Sequence, residues 1–167
     1  MDSYFVRHTK SMTVRDEDLS RLWTNNEIAI HFPGEGEEDS RSLDPDDYLY
    51  ERERRAIERL VELAENGGYV WAETRIDQRV KVGVVRPGTQ IELYSAIWTL
   101  PNDHRYHGRG GSEAILKTLK MDPVREIAPH KATDLRVVRP RRGTIMRWRA
   151  CGNGLEALVE GNSNGRL

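Results

Sequence analysis

Residues 69–98 read YVWAETRIDQRVKVGVVRPGTQIELYSAIW. Three β-prone runs follow one another here: Tyr69–Arg75, Arg79–Arg86 and Gln90–Trp98. Each is rich in valine, isoleucine or aromatic residues, which suit a pleated, half-buried surface. The segments between them, Ile76-Asp77-Gln78 and Pro87-Gly88-Thr89, are short and turn-prone. Strand runs joined in this way predict an antiparallel meander. In the third run Ile91, Leu93, Ser95 and Ile97 share one parity, and Glu92, Tyr94, Ala96 and Trp98 the other. The first set is the more aliphatic and is expected on the core. Tyr94 and Trp98 are then expected on the opposite face.

On the N-terminal side, Ser3–Arg7 (SYFVR) reads as a short strand and Thr13–Asn26 as a helix with Leu19, Leu22 and Trp23 on one face. Glu27–Phe32 (EIAIHF) alternates like a half-buried strand. Asp44-Pro45-Asp46-Asp47 should open a long helix, with a capping aspartate, proline in the first turn and acids at the positive dipole end. Its apolar stripe is Leu49, Ile57, Leu60, Val61 and Ala64, and Asn66-Gly67-Gly68 ends it. On the C-terminal side, Leu100–Gly111 reads as a polar loop, and Ser112 caps a predicted short helix to Lys120. Ala132–Arg139 and Gly143–Arg149 read as strands. The expected fold is α+β: a small, mostly antiparallel β-barrel of five to six strands with about three surrounding helices. One domain is expected over residues 1–150, with a loose tail at 151–167.

The chain has 167 residues and a formal net charge of −1, so whole-chain charge does not announce a polyanion binder. Charge is nonetheless unevenly spread. Gly34–Asp47 holds seven acids and one arginine, whereas residues 136–149 hold six arginines and no acid. The acidic run reads as a solvated loop. The arginines alternate with Val137, Val138, Ile145 and Met146, as if one side of each strand faced a core. No apolar run approaches the roughly 18 residues of a membrane span. No signal peptide is read, and Cys151 is the only cysteine, so a cytoplasmic setting is expected.

No catalytic constellation is legible. Cys151 has no neighbour that would lower its pKa, and Ser95 and Ser112 lack an elbow motif. Asp103, His104 and His107 lie in a glycine-rich loop without a second ligand pair, so no metal and no cofactor are expected. A nuclease or nucleotide hydrolase using His104 and His107 is the enzymatic alternative. Gly108–Gly111 could hold an anion at a following helix start, with Arg109 beside it.

Four stretches carry a family resemblance: SYFVRHTKS at 3–11 followed by a helix ending in Leu22-Trp23, NNEIAIHFPG at 25–34, RVKVGVVRPGTQIEL at 79–93, and RPRRGTIMRW at 139–148. In order and character they resemble PUA-like domains of the EVE and YTH type, as found in modification-dependent restriction systems. The resemblance implies a small barrel that flips a modified nucleotide into an aromatic cage. By position, Trp23 matches the early cage tryptophan and Trp98 the aromatic before the loop that follows the meander. Trp71 and Tyr94 complete the implied pocket. His31-Phe32 stand where many relatives have glycine-tryptophan. Arg139, Arg141, Arg142, Arg147 and Arg109 are then expected to contact phosphates. The implied function is a non-catalytic reader of duplex DNA carrying a modified base, serving a separate or fused nuclease in a restriction or defence system. RNA binding, or protein interaction on the same barrel with all four tryptophans in the core, are the alternatives.

Overall fold

The computed structural model describes residues 1–8, 13–31, 41–99, 113–128, 144–149 and 154–161. Its first three strands are β1 (Ser3–His8), β2 (Glu27–Ile30) and β3 (Gly68–Thr74). Then follow β4 (Val80–Val85), β5 (Glu92–Ile97), β6 (Glu113–Lys120), β7 (Val124–Ile127) and β8 (Ile145–Arg147). The helices are α1 (Asp16–Thr24), α2 (Glu51–Asn66) and α3 (Gly154–Glu160), with a 3-10 turn at Pro45–Asp47.

The expected meander breaks after its second strand. β3 and β4 form the predicted hairpin, from Gly68↔Val85 to Glu73↔Val80. Its turn places Asp77 and Gln78 in the left-handed region, at φ 55° and 51°. Two successive positive φ values match the right-handed twist of a tight hairpin. β5 does not return to β4. The free side of β4 is taken by β7, from Val80↔Ile127 to Gly83↔Val124. β5 instead pairs with β6 in a second sheet.

The described strands therefore form two sheets, in the orders β7-β4-β3-β1-β8 and β2-β6-β5. They are not closed into the expected barrel. The α+β class stands, with three helices and eight strands among the described residues. β1 is an interior strand of the large sheet, parallel to β3 and antiparallel to the edge strand β8.

Burial explains the layering. Tyr4, Val6, Val70, Ala72, Val85 and Ile145 of the large sheet share a core with Ile28, Ile30 and Leu119 of the small one. Ile57, Leu60, Leu63 and Ala64 of α2 complete it. α1 covers the other face of the small sheet through Leu19 and Leu22, against Ala29, Ala96, Ala114 and Leu116. α3 covers the other face of the large sheet through Leu155 and Val159, against Phe5, Trp71, Val80, Val82 and Trp148. Residues 154–160, expected within a loose tail, are thus a packed helix.

Three further expectations are corrected. Glu113–Lys120 is a strand, not a helix. It runs between two neighbours with both faces covered, so Ala114–Leu119 are all buried. A strand apolar on both faces mimics helical periodicity. The helix expected from Asp44 is split. Asp44 Oδ1 accepts from Asp46 N at 3.0 Å and caps only the 3-10 turn; the chain then extends through Tyr48 to Tyr50 before α2 begins. Leu49, assigned to the apolar stripe, is 64% exposed. Finally, the faces of β5 are reversed. Ala96 and Trp98 are buried, while Ser95 is exposed and Leu93 is 47% exposed. α1 packs on the Tyr94-Ala96-Trp98 side, and that decides which parity is the core.

Two buried polar anchors tie the layers together. His8 Nε2 accepts from Ala29 N at 3.0 Å, joining the end of β1 to β2. Lys81 of β4 donates to Trp23 O and Asn26 Oδ1 at the end of α1, where carbonyls and the dipole favour a cation.

Candidate nucleic-acid interface

The basic run seen in the sequence enters the described structure at its last residues. β8 is an edge strand. The period of two along a strand sends Trp148 inward, 2% exposed, against Phe5 and Trp71. Arg147 and Arg149 emerge on the other side. α2 runs beside this edge. Arg55 and Arg59 stand one turn apart on the helix, as do Glu58 and Glu62. Together Arg55, Glu58, Arg59, Glu62, Arg147 and Arg149 line an open groove of about 530 Å3. Four guanidiniums against two carboxylates leave the lining positive, in a chain that is net negative.

Several lining side chains are already held. Glu62 Oε2 accepts from Tyr4 OH at 3.2 Å and from Arg147 Nε at 3.0 Å. Arg147 Nη2 pairs with the other carboxylate oxygen. Arg59 Nη1 donates to Ile145 O at 3.0 Å, and Arg55 Nη2 to Glu51 Oε1 at 2.7 Å. A guanidinium carries five N–H donors, so each retains donors for a ligand. Arg149 and Glu58 have no hydrogen-bond or ion-pair partner among the described residues. Burial raises the Tyr4 hydroxyl pKa, which the nearby Arg147 charge opposes.

The residues of the expected aromatic cage do not converge. Trp71 is fully buried in the large sheet, 5.7 Å from Trp148 at 78° between ring planes. Its Nε1 donates to Glu73 Oε1 at 3.0 Å. Trp23, at the end of α1, lies under Lys81 Nζ at 4.5 Å and the Arg79 guanidinium at 5.4 Å. Trp98 belongs to a third place, the α1 side of the small sheet. It is 5% exposed, and its Nε1 donates to Glu113 O at 2.8 Å. His31 lies edge-on to it at 4.6 Å between ring centroids. Tyr94 is on the same strand face, with its OH donating to Asp18 Oδ1 at 3.3 Å and the Arg21 guanidinium 5.0 Å from its ring. The structure therefore brings together His31, Trp98 and Tyr94, and leaves Trp23 and Trp71 elsewhere. Phe32, Arg109, Arg139, Arg141 and Arg142 lie outside the described residues, as do Asp103, His104, His107 and Cys151.

The Trp98 neighbourhood has its own electrostatic signature. His31 Nδ1 lies 3.4 Å from Ile115 O, while its Nε2 is buried without a hydrogen-bond partner among the described residues. Burial lowers the His31 pKa to about 4. Thr13 Oγ1 is a second buried atom without a partner, one residue from the Val14↔Trp98 bridge. On the opposite face of the same sheet Lys117 is buried, its Nζ 5.4 Å from the Tyr48 ring. Burial lowers its pKa to about 8, against the opposing charge of Glu53.

Sequence reasoning singled out the apolar stripe on α2 and none of Arg55, Glu58, Arg59 and Glu62. A signal was present. Like charges at i,i+4 oppose each other on a helix, and α2 carries two such pairs side by side.

Among the described residues no group of three or more His, Cys, Asp or Glu is placed to hold a metal, and no helix is long and apolar enough to cross a membrane. No family model, no curated protein and no solved structure matches the chain. The site itself defines the class that can be argued: an α+β domain with a preformed arginine groove.

Proposed function

We propose that this chain is a nucleic-acid-binding domain that holds a phosphate backbone in the groove between α2 and β8. The carrying observation is the convergence of Arg55, Arg59, Arg147 and Arg149 on one open groove. Arginine forks suit phosphate oxygens, and arginines already fixed by their own partners lose less freedom on binding. Arg55 and Arg59 are one turn of helix apart, and Arg149 follows two residues after Arg147, the last residue of β8, so each pair can meet neighbouring phosphates.

The fuller form of the proposal is a non-catalytic reader of duplex DNA bearing a modified base, as the EVE- and YTH-like stretches imply. Within it Trp98 and His31 are the base-contacting pair. Two buried polar atoms without partners among the described residues, His31 Nε2 and Thr13 Oγ1, support that assignment, because such atoms are costly unless something satisfies them. Trp23 and Trp71 drop out of the contact set and serve packing.

Binding to plain and base-modified duplexes at two salt concentrations tests both parts. Removing Arg55, Arg59 or Arg149 should weaken binding to every sequence alike and lower the salt slope by about one each. Unchanged slopes in all three variants would remove the groove from the interface. Loss of the preference for a modified duplex in His31→Ala, with affinity for plain duplex kept, is the result expected of the base-contacting pair.

A second reading is a protein-interaction domain. The burial of all four tryptophans, each 8% exposed or less, favours it. Absence of any nucleic-acid affinity, with tryptophan fluorescence inaccessible to quencher, would select it.

A further inference from the structure

The two carboxylates of the groove stand in opposite situations. Glu58 has no hydrogen-bond or ion-pair partner among the described residues, and to a phosphate it is only a repelling charge. Glu62 is the junction of a short chain. Tyr4, 1% exposed on interior strand β1, donates to its Oε2, and Arg147 engages both of its oxygens. The contact spans 85 residues and joins the helix wall of the groove to the strand wall. It also uses the Nε side of the Arg147 fork, leaving the far donors aimed elsewhere. An arginine without such a partner samples many rotamers and must surrender them on binding.

We infer that Glu62 is a positioning residue for nucleic-acid binding: anchored by Tyr4, it fixes Arg147 in the groove, and this outweighs the repulsion of its own negative charge. The inference rests on the nucleic-acid reading of the groove. It makes a prediction of sign that charge counting does not. Glu58→Gln and Glu62→Gln each raise the groove charge by one. If only charge mattered, both would tighten binding. If Glu62 positions Arg147, the first tightens binding and the second weakens it.

The experiment measures affinity of the whole chain for a plain DNA duplex at fixed salt, for wild type, Glu58→Gln, Glu62→Gln and Tyr4→Phe, with a melting curve for each. Glu58→Gln should tighten binding roughly twofold. Glu62→Gln should weaken it roughly twofold to fivefold, the range of a half-exposed ion pair. Tyr4→Phe changes no charge, removes only the hydroxyl, and should weaken binding less than Glu62→Gln. Repeating Glu62→Gln in an Arg147→Ala background separates positioning from structure. With no arginine to position, the substitution should now tighten binding. Tightening by Glu62→Gln in the wild-type background overturns the inference while the groove reading stands. So does equal weakening with and without Arg147, which is what a structural defect produces. If Glu62→Gln melts too low to assay, Tyr4→Phe decides alone, and unchanged affinity there overturns the inference. Wild-type chain that binds no duplex overturns the groove reading and the inference together.

Discussion

The arginine groove and the Trp98 neighbourhood solve opposite problems with polar atoms. In the groove every lining residue is charged, solvent is at hand, and most side chains have a partner at modest cost. Around Trp98 most neighbours are apolar, and two buried polar atoms go without a partner among the described residues. An exposed ion pair contributes about 0–1 kcal/mol. A buried polar atom left unmade costs about 1–3 kcal/mol. The first region can therefore change its charges with little effect on the fold. The second cannot change much without affecting it.

The largest expected effect breaks the comparison at its buried end. Trp71→Ala removes a fully buried ring packed on Trp148 and should destabilise the domain by about 3–5 kcal/mol, read by thermal or denaturant melting. Trp98→Ala should fall in the same range if Trp98 is only a core residue under α1, and should cost less, with loss of the preference for a modified base, if it belongs to the base-contacting pair. A well-folded Trp98→Ala variant would mean that its place is already open.

Acid probes the same region next. Burial holds His8 and His31 at about 4, below the ordinary 6.5. Each binds its proton less readily folded than unfolded, so stability is full above about pH 6.5 and falls as pH drops toward 4. Across that window each should remove about 3 kcal/mol. Denaturant melts at pH 7 and pH 4.5 should show the loss, and His31→Phe should reduce it. An unchanged loss would assign the acid sensitivity to His8 or to other groups.

At the exposed end, Arg147→Ala should weaken duplex binding about fivefold to tenfold and lower the salt slope by about one, while the melting temperature moves little. The smallest effect belongs to Arg149→Ala. Stability should stay within about 0.5 kcal/mol, while duplex binding weakens and the salt slope falls by about one. A stability loss above 1 kcal/mol there would show that the groove is built more like the core than its charges suggest.

Strand identity was legible where β-branched and aromatic residues are dense, whether or not a polar face marks the period. β1, β3 and β4 are buried on both faces yet read as strands, and the Asp77-Gln78 turn stands where its residues predict. Strand partners were not legible. Nothing in Gln90–Trp98 records that β7 occupies the edge of β4, because register along a strand carries no information about which strand lies beside it. β6 shares the double-sided burial of those strands, but its run of alanine, leucine and lysine favours a helix by propensity where valine marks β3 and β4 as strands. With both faces covered, Ala114–Leu119 has no polar side to mark its period. The orientation of β5 depended on α1, a helix 68 residues earlier whose apolar stripe was read correctly but whose target was not. Of the candidate site, Arg147 was legible as the outward neighbour of an inward tryptophan. Its helix partners became visible only when α2 was laid against β8.

The place of β1 carries a consequence for how the protein is made. This strand, complete by residue 8, has one neighbour at residues 69–74 and the other at 145–147. A chain leaving the ribosome at about 5–20 residues per second exposes β1 for several seconds before its second neighbour exists. Through that interval Tyr4, Phe5 and Val6, later among the least accessible residues, have one open strand edge beside them. Addition of β8 is thus the step that ends the nascent chain's vulnerability to mispairing, and the same event brings Arg147 to the groove.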